Sequence, residues 1–185
     1  MELIFLRHGQ TDWNITQRLQ GQTDVPLNET GIREAESARP ILAGITFDAV
    51  FCSPLTRAKH TLQLAYPCEN VRYDDRLAEW NFGPYEGQVL PESFFASLWI
   101  AGREPVEGVE RLEDLLIRVS SFYRDAEQEF PVGRILVVSH GGVSGAMHAA
   151  VYGMAPEENL RPYCLPNAVP VLFRKGEPPV YLKEN

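Results

Sequence analysis

Leu3-Ile4-Phe5-Leu6-Arg7-His8-Gly9-Gln10-Thr11 is a short apolar run that stops at an arginine, a histidine and a glycine. Four to eight apolar residues closed by a glycine read as a strand buried on both faces. Such strands belong to parallel sheets, which bind ligands just beyond the carboxyl ends of their strands. The run therefore presents Arg7 and His8 where a ligand sits, and Gly9 permits a sharp turn and close backbone approach. A strand ending in an ordinary basic turn explains this one stretch equally well. The arrangement, however, recurs twice.

Residues 48–52 form a second apolar run, followed by Ser53-Pro54. That pair has the pattern of a helix N-cap with proline at the first helical position. The predicted helix buries Leu55, Ala58, Leu62 and Ala65 and carries Arg57 in its first turn. A cation there opposes the helix dipole at a cost of about 0.3–1 kcal/mol. Helix N-termini attract anions, so Arg57 makes sense with an anion beside it; a solvated arginine is the plainer alternative. Residues 135–138 form the third run, closed by Ser139-His140-Gly141-Gly142 and followed by a predicted helix over 143–152. If the three strands are parallel, Arg7, His8, Arg57, His140 and Gly141 converge on one crevice.

Arginine forks match phosphate oxygens, and imidazole and helix N-termini complete a pocket for a tetrahedral dianion. Histidine is also a nucleophile. His8 has to be neutral for that, and neighbouring positive charge disfavours its protonated form. His140 stands across the phosphate as a donor that stabilises charge on the equatorial oxygens. Glu79 lies in a loop with two glycines and three aromatics (residues 77–87) and is the best-placed acid for the leaving alkoxide. Glu86 shares that loop. Desolvation by aromatic neighbours raises a carboxyl pKa, whereas a partner arginine keeps it ionised.

The 185 residues fit one domain spanning 1–185. A net charge of -8 argues against nucleic acid or an anionic membrane as partner. The three cysteines, Cys52, Cys68 and Cys164, suggest neither disulfides nor a metal site and fit a cytoplasmic protein. No basic leader, bilayer-length apolar run or internal repeat is expected. The remaining pattern predicts a polar loop over 10–21, a helix over 32–42 ended or kinked early by Pro40, and a strand over 71–73. Asp74, Asp75 and Arg76 read as surface charge. A short helix over 91–101, with Phe94, Phe95 and Trp99, is either a lid or ordinary packing. A long helix begins at Leu112, Gly153 and Pro156 stop the helix before them, and two strands over 169–173 and 180–182 flank a turn holding Gly176, Pro178 and Pro179.

Leu6-Arg7-His8-Gly9-Gln10-Thr11 with Trp13-Asn14, Asp24-Val25-Pro26-Leu27, Cys52-Ser53-Pro54-Leu55-Thr56-Arg57-Ala58, Glu79 with Phe82-Gly83, and Val138-Ser139-His140-Gly141-Gly142 together resemble the histidine phosphatase superfamily, the phosphoglycerate mutase-like proteins. The resemblance runs through most of the chain in the family's order. It implies a three-layer α/β/α sandwich with a mostly parallel central sheet. It also implies that His8 is phosphorylated, that Arg7, Arg57 and His140 form the phosphate pocket, that Glu79 is the proton donor and that Asn14 is a further phosphate contact. Gln20 and Gly21 match a stretch near the substrate, and no metal or other cofactor is implied. Gln10 stands where glutamate is common, Gly145 where many relatives have arginine, and residues 108–111 lack the serine of a similar stretch.

The family's glycolytic mutases are longer, with an insertion after the acid-bearing loop. The region of residues 79–87 is more similar to small bacterial phosphatases of the α-ribazole phosphatase type. The resulting expectation is metal-independent hydrolysis of a small phosphorylated metabolite, by a monomer or homodimer. Mutase-type phosphoryl transfer is the alternative. Less favoured are a non-catalytic phosphate-binding module, a serine hydrolase using Ser144 in Gly142-Val143-Ser144-Gly145-Ala146, and a zinc enzyme, for which ligand spacing is lacking.

Overall fold

The computed structural model describes residues 1–155 and 158–184, the side chains of Phe95 and Ser97 excepted. The elements are β1 (Glu2–Arg7), α1 (Asp12–Ile15), α2 (Glu29–Ala43), β2 (Ala49–Cys52), α3 (Thr56–Ala65), β3 (Val71–Tyr73), α4 (Glu92–Leu98), α5 (Leu112–Glu129), β4 (Arg134–Ser139), α6 (Gly141–Tyr152), β5 (Pro170–Arg174) and β6 (Glu177–Tyr181). The strands form one six-stranded sheet in the order β3-β2-β4-β1-β5-β6. β1, β2, β3 and β4 are mutually parallel, and β5 runs antiparallel to both β1 and β6.

Alternation along the strands divides the core. Leu3, Phe5, Phe51, Ile135, Val137 and Phe173 face Leu115, Val119 and Phe122 of α5 and Val143 and Met147 of α6. Ile4, Leu6, Val50, Cys52, Leu136 and Val138 face Ala38 and Leu42 of α2 and Ala58 and Leu62 of α3. Both sheet faces are thus covered, which is why the strands read as unbroken apolar runs rather than alternating ones. The result is the expected three-layer sandwich. Among the described residues no helix is long and apolar enough to cross a membrane.

Several local expectations are corrected. Pro40 does not end α2, which continues to Ala43. Pro40 is exposed, so solvent can take the place of the N–H that its ring removes. Asn28 caps that helix, accepting from the Gly31 amide at 2.9 Å. Ser53 is not the N-cap of α3. The helix starts at Thr56, and its first amide donates to Asp24 Oδ1 at 2.9 Å, a cap supplied from a distant loop. α6 starts at Gly141, earlier than predicted, so both glycines lie in its first turn. The polar loop holds one helical turn, capped by Thr11 and Asn14 in a reciprocal box. Pro178 and Pro179 belong to β6 rather than to its turn; an edge strand tolerates the missing donors. Arg76, a partly exposed surface charge, is paired with Asp74 at 2.7 Å and Asp125 at 2.6 Å. Phe95 as a lid side chain and Pro156 as a helix stop fall outside the described residues.

The turn after β1 crosses α2 at two glycines. A Cβ on Gly31 would sit far inside contact with the Gln10 carbonyl, and one on Gly9 would strike the Gly31 carbonyl. Alanine normally stabilises a helical position by about 0.8–1.0 kcal/mol over glycine. Here the sign is expected to reverse: Gly31→Ala should destabilise by about 1–3 kcal/mol in urea unfolding. Gly44→Ala, where a Cβ meets nothing within 4 Å, is the neutral control.

Candidate active site

The register of the sheet brings the three strand ends level. Arg7 pairs with Ser139 across β1 and β4, and Cys52 with Val138 across β2 and β4. The ladder runs one residue further: His8 N–H donates to the Ser139 carbonyl and Ser53 N–H to that of Val138, each at 2.9 Å. His8 and His140 are consequently neighbours, with ring centroids 5.2 Å apart. Both are buried, as is Arg57.

Each imidazole is oriented by one nitrogen. His8 Nδ1 lies 2.7 Å from the Gly9 carbonyl, an acceptor only, so Nδ1 carries the proton and Nε2 holds a lone pair. His140 Nε2 lies 2.7 Å from Ser53 Oγ. That oxygen also accepts from the Leu55 amide at 3.3 Å, and its second lone pair and its proton let it pair with either tautomer of His140. Burial, first, then the charges of Arg7 and Arg57 hold the His8 pKa well below the usual imidazole value. Burial, Arg57 and His8 do the same to His140.

The arginines are fixed by carbonyls rather than carboxylates. Arg7 Nη1 donates to the Leu165 carbonyl at 2.8 Å. Arg57 donates from Nη1 to Thr23 O at 2.8 Å and from Nη2 to Gly21 O at 2.6 Å. Neither forms an ion pair among the described residues. Arg7 Nε, Arg57 Nε and His140 Nδ1 are buried nitrogens without a hydrogen-bond partner among the described residues, and Gln20 Oε1 is a buried oxygen in the same condition. Such groups are rare in folded proteins and costly unless something charged and hydrogen-bonding meets them.

A cavity of about 290 Å³ opens here, lined by Arg7, His8, Asn14, Gln20, Gly21, Glu79 and Gly141, among others. Arg57 and His140 are buried and do not line it themselves. Asn14 Oδ1 is engaged by the Thr11 amide at 3.0 Å, which leaves its amide donors to the cavity. Gly141 abuts Arg7: a Cβ there would lie 3.3 Å from the guanidinium carbon.

Glu79 stands at the start of α6. Its Oε1 accepts from the Trp80 amide at 2.9 Å and its Oε2 from the Gly142 amide at 3.2 Å. Glycine at 142 is required for this, since a Cβ would lie 2.6 Å from Glu79 Oε1. Arg118 of α5 ties the loop down, donating to the Ala78 carbonyl at 2.7 Å and the Glu79 carbonyl at 3.1 Å while paired with Glu110. Glu86 instead serves structure: it accepts from the amides of Gln22, Thr23 and Phe82. Sequence reading missed Ser53 as the partner of His140. It also missed Thr61, which receives the Gly9 amide at 3.0 Å, and Asn167, which donates to the His8 carbonyl at 2.7 Å. Their signal is purely tertiary.

The depressed histidines make stability depend on pH. Below about 6.5 an unfolded imidazole binds a proton, which folded His8 and His140 refuse. The unfolded state then holds more protons, so stability is expected to fall as pH drops from there, by up to about 1.4 kcal/mol per pH unit for each histidine. Urea unfolding between about pH 5 and 7 measures the slope, and His8→Asn should make it shallower.

The arrangement is a buried, cationic pocket with two imidazoles at a sheet edge, and comparison supplies the class. A model of the histidine phosphatase superfamily (branch 1) matches residues 3–180, and the chain belongs to that superfamily. It is 34% identical to the uncharacterized phosphatase PhoE of Bacillus subtilis over 161 residues, covering 84% of this chain and 79% of that one. It is equally 34% identical to a 2,3-bisphosphoglycerate-dependent phosphoglycerate mutase of Cytophaga hutchinsonii over 169 residues, with 84% and 79% covered. The crystal structure of the α-ribazole phosphatase of Shigella flexneri superposes with a TM-score of 0.80 at 27% identity, covering 93% of this chain and 89% of that chain. The relatives thus include both phosphatases and mutases.

Proposed function

We propose that the protein is a metal-independent phosphatase that hydrolyses a small phosphate monoester through a phosphohistidine on His8. The observation that carries this reading is the set of buried nitrogens on Arg7, Arg57 and His140 without a hydrogen-bond partner among the described residues, gathered around an imidazole that burial and both arginines hold neutral, with Glu79 near enough to act on both arginines but not ion-paired with either. Burying cations unpaired costs several kcal/mol per ion, and a bound dianion offsets that cost.

His8 Nε2 attacks phosphorus in line, forming the N–P bond as the ester P–O bond breaks. Arg7, Arg57 and the Nδ1–H of His140 stabilise charge on the equatorial oxygens, with Asn14, Gln20, Gly21 and Gly141 shaping the pocket. The electron pair of the broken bond leaves on the alkoxide, which takes a proton from Glu79. The resulting carboxylate then accepts a proton from water as that water attacks phosphorus, releasing orthophosphate and restoring His8. Two backbone amides held by Glu79 keep its oxygens aimed during both steps. The compact region after this loop supports water as the acceptor over a second alcohol. Three free thiols, Cys52, Cys68 and Cys164, support a reducing, cytoplasmic setting.

The test is an initial-rate screen over phosphorylated metabolites, with chelator present, combined with base quenching to locate phosphate on the protein. Orthophosphate release with label on His8 is expected. Turnover without label there overturns the mechanism. Transfer to a second alcohol in place of release would make the protein a mutase, and phosphate affinity with no turnover a binding module.

A further inference from the structure

Ser144 is buried in the first turn of α6, outside the cavity lining, and the mechanism leaves it without a task. Its hydroxyl is committed twice. Oγ donates to the Gly141 carbonyl at 2.7 Å and accepts from the Leu165 amide at 2.9 Å. A hydroxyl has one proton, and a carbonyl holds this one, so Ser144 presents no nucleophile. The two residues it joins are the two that hold Arg7. The Leu165 carbonyl accepts from Arg7 Nη1 at 2.8 Å, and Gly141 packs against the guanidinium, where a Cβ would lie 3.3 Å from Cζ. One hydroxyl therefore closes a ring from α6 through residue 165 to the arginine and back. With Nη1 occupied, Nη2 and Nε, the latter without a hydrogen-bond partner among the described residues, remain as the side-on fork that can take two oxygens of a tetrahedral anion.

The stretch after Leu165 depends on the same hold. Asn167 Nδ2 donates to the His8 carbonyl at 2.7 Å, and the Ala168 amide donates to the Arg7 carbonyl at 2.9 Å. Ala168 makes that contact at φ 48°, in left-handed backbone that a side chain disfavours. Such conformations persist only where surrounding bonds over-determine them. The Ser144 bond fixes the near end of this strained stretch. Without it the buried Leu165 amide loses its acceptor, and the stretch can relax away from α6, taking the Leu165 carbonyl with it.

We infer that Ser144 is a positioning residue of the phosphate pocket: by holding Leu165 against the start of α6, it sets the angle at which the Arg7 fork meets the phosphate. This inference rests on the phosphatase reading and adds to it a residue that touches neither substrate nor reacting atoms.

The experiment puts Ser144→Ala and Ser144→Cys into the unmutated chain and into an Arg7→Ala background. Single-turnover rates with an aryl phosphate, followed over hours where needed, are combined with orthophosphate calorimetry and urea unfolding. Ser144→Ala alone should lower both the second-order rate and orthophosphate affinity by roughly tenfold or more, since a misplacement of about 1 Å can cost about 10²-fold. Ser144→Cys keeps the volume with a weaker donor and acceptor, so its loss should be smaller; it carries the same comparison if Ser144→Ala does not fold. In the Arg7→Ala background the rate should change by less than about twofold, because no fork is left to misplace. A structural role independent of Arg7 would cost the same factor in both backgrounds, and that result overturns the inference. So does a folded Ser144→Ala chain within about twofold of the unmutated one in rate and affinity. No turnover by the unmutated chain overturns the phosphatase reading alone; orthophosphate affinity, which needs no turnover, then decides for or against Ser144.

Discussion

Replacing His8 by alanine is expected to lower kcat by on the order of 10⁴-fold or more. The only imidazole near enough to substitute is His140, and its orientation forbids it. Its Nε2 is held by Ser53 at 2.7 Å, and in the proposed mechanism its Nδ1 is a donor to the phosphate. A donor cannot serve as the attacking lone pair. The variant should still bind orthophosphate, because Arg7 and Arg57 are anchored by the carbonyls of Leu165, Thr23 and Gly21 and not by His8. Loss of turnover with retained phosphate affinity, measured by calorimetry, separates a missing nucleophile from a collapsed pocket. Residual turnover above about one per cent would remove His8 from that role.

Glu79→Gln should cost about 10²–10⁴-fold in kcat for alkyl phosphates, the usual contribution of a general acid and base. Its dependence on the leaving group is the sharper expectation. A nitrophenolate departs without a proton, so phosphorylation of His8 by an aryl ester should survive the substitution. Hydrolysis of the phosphohistidine still needs a base. The variant should therefore show a burst of nitrophenol followed by slow turnover, with phosphoenzyme accumulating. The amide can accept from only one of the Trp80 and Gly142 amides that the carboxylate now serves, so thermal unfolding should accompany the kinetics. Equal losses for alkyl and aryl esters, with no burst, would count against Glu79 as the proton donor.

How much of this was legible beforehand follows from where the information lies. The buried strands could be read because both faces of the sheet are covered, and apolar runs such as residues 3–6 and 135–138 follow from that coverage. The meeting of Arg7, His8, Arg57 and His140 could be read because parallel strands put their carboxyl ends on one edge. Local capping rules, by contrast, misplaced Ser53. A serine before proline has the right chemistry to cap α3, but Asp24 satisfies that helix from 32 residues away, and Ser53 is left to orient His140. Glu86 and Arg118 misled or stayed silent for the same reason. Their partners include backbone groups of distant segments, Gln22 and Thr23 for Glu86 and Ala78 and Glu79 for Arg118, which no spacing rule encodes. Pro40 and the prolines of β6 broke local expectations harmlessly, because each sits where water can take over the missing donor's role.

The position of β1 between β4 and β5 bears on when the molecule becomes competent during synthesis. Arg7 is held by a carbonyl 158 residues downstream, and His8 by an amide 159 residues downstream. A ribosome must therefore deliver residues 165 and 167 before the end of β1 can be seated. Until then a nascent chain carries His8 in an unfinished setting, without the neighbours that orient it. Contacts so far apart along the chain also predict slow folding relative to helical proteins of this size.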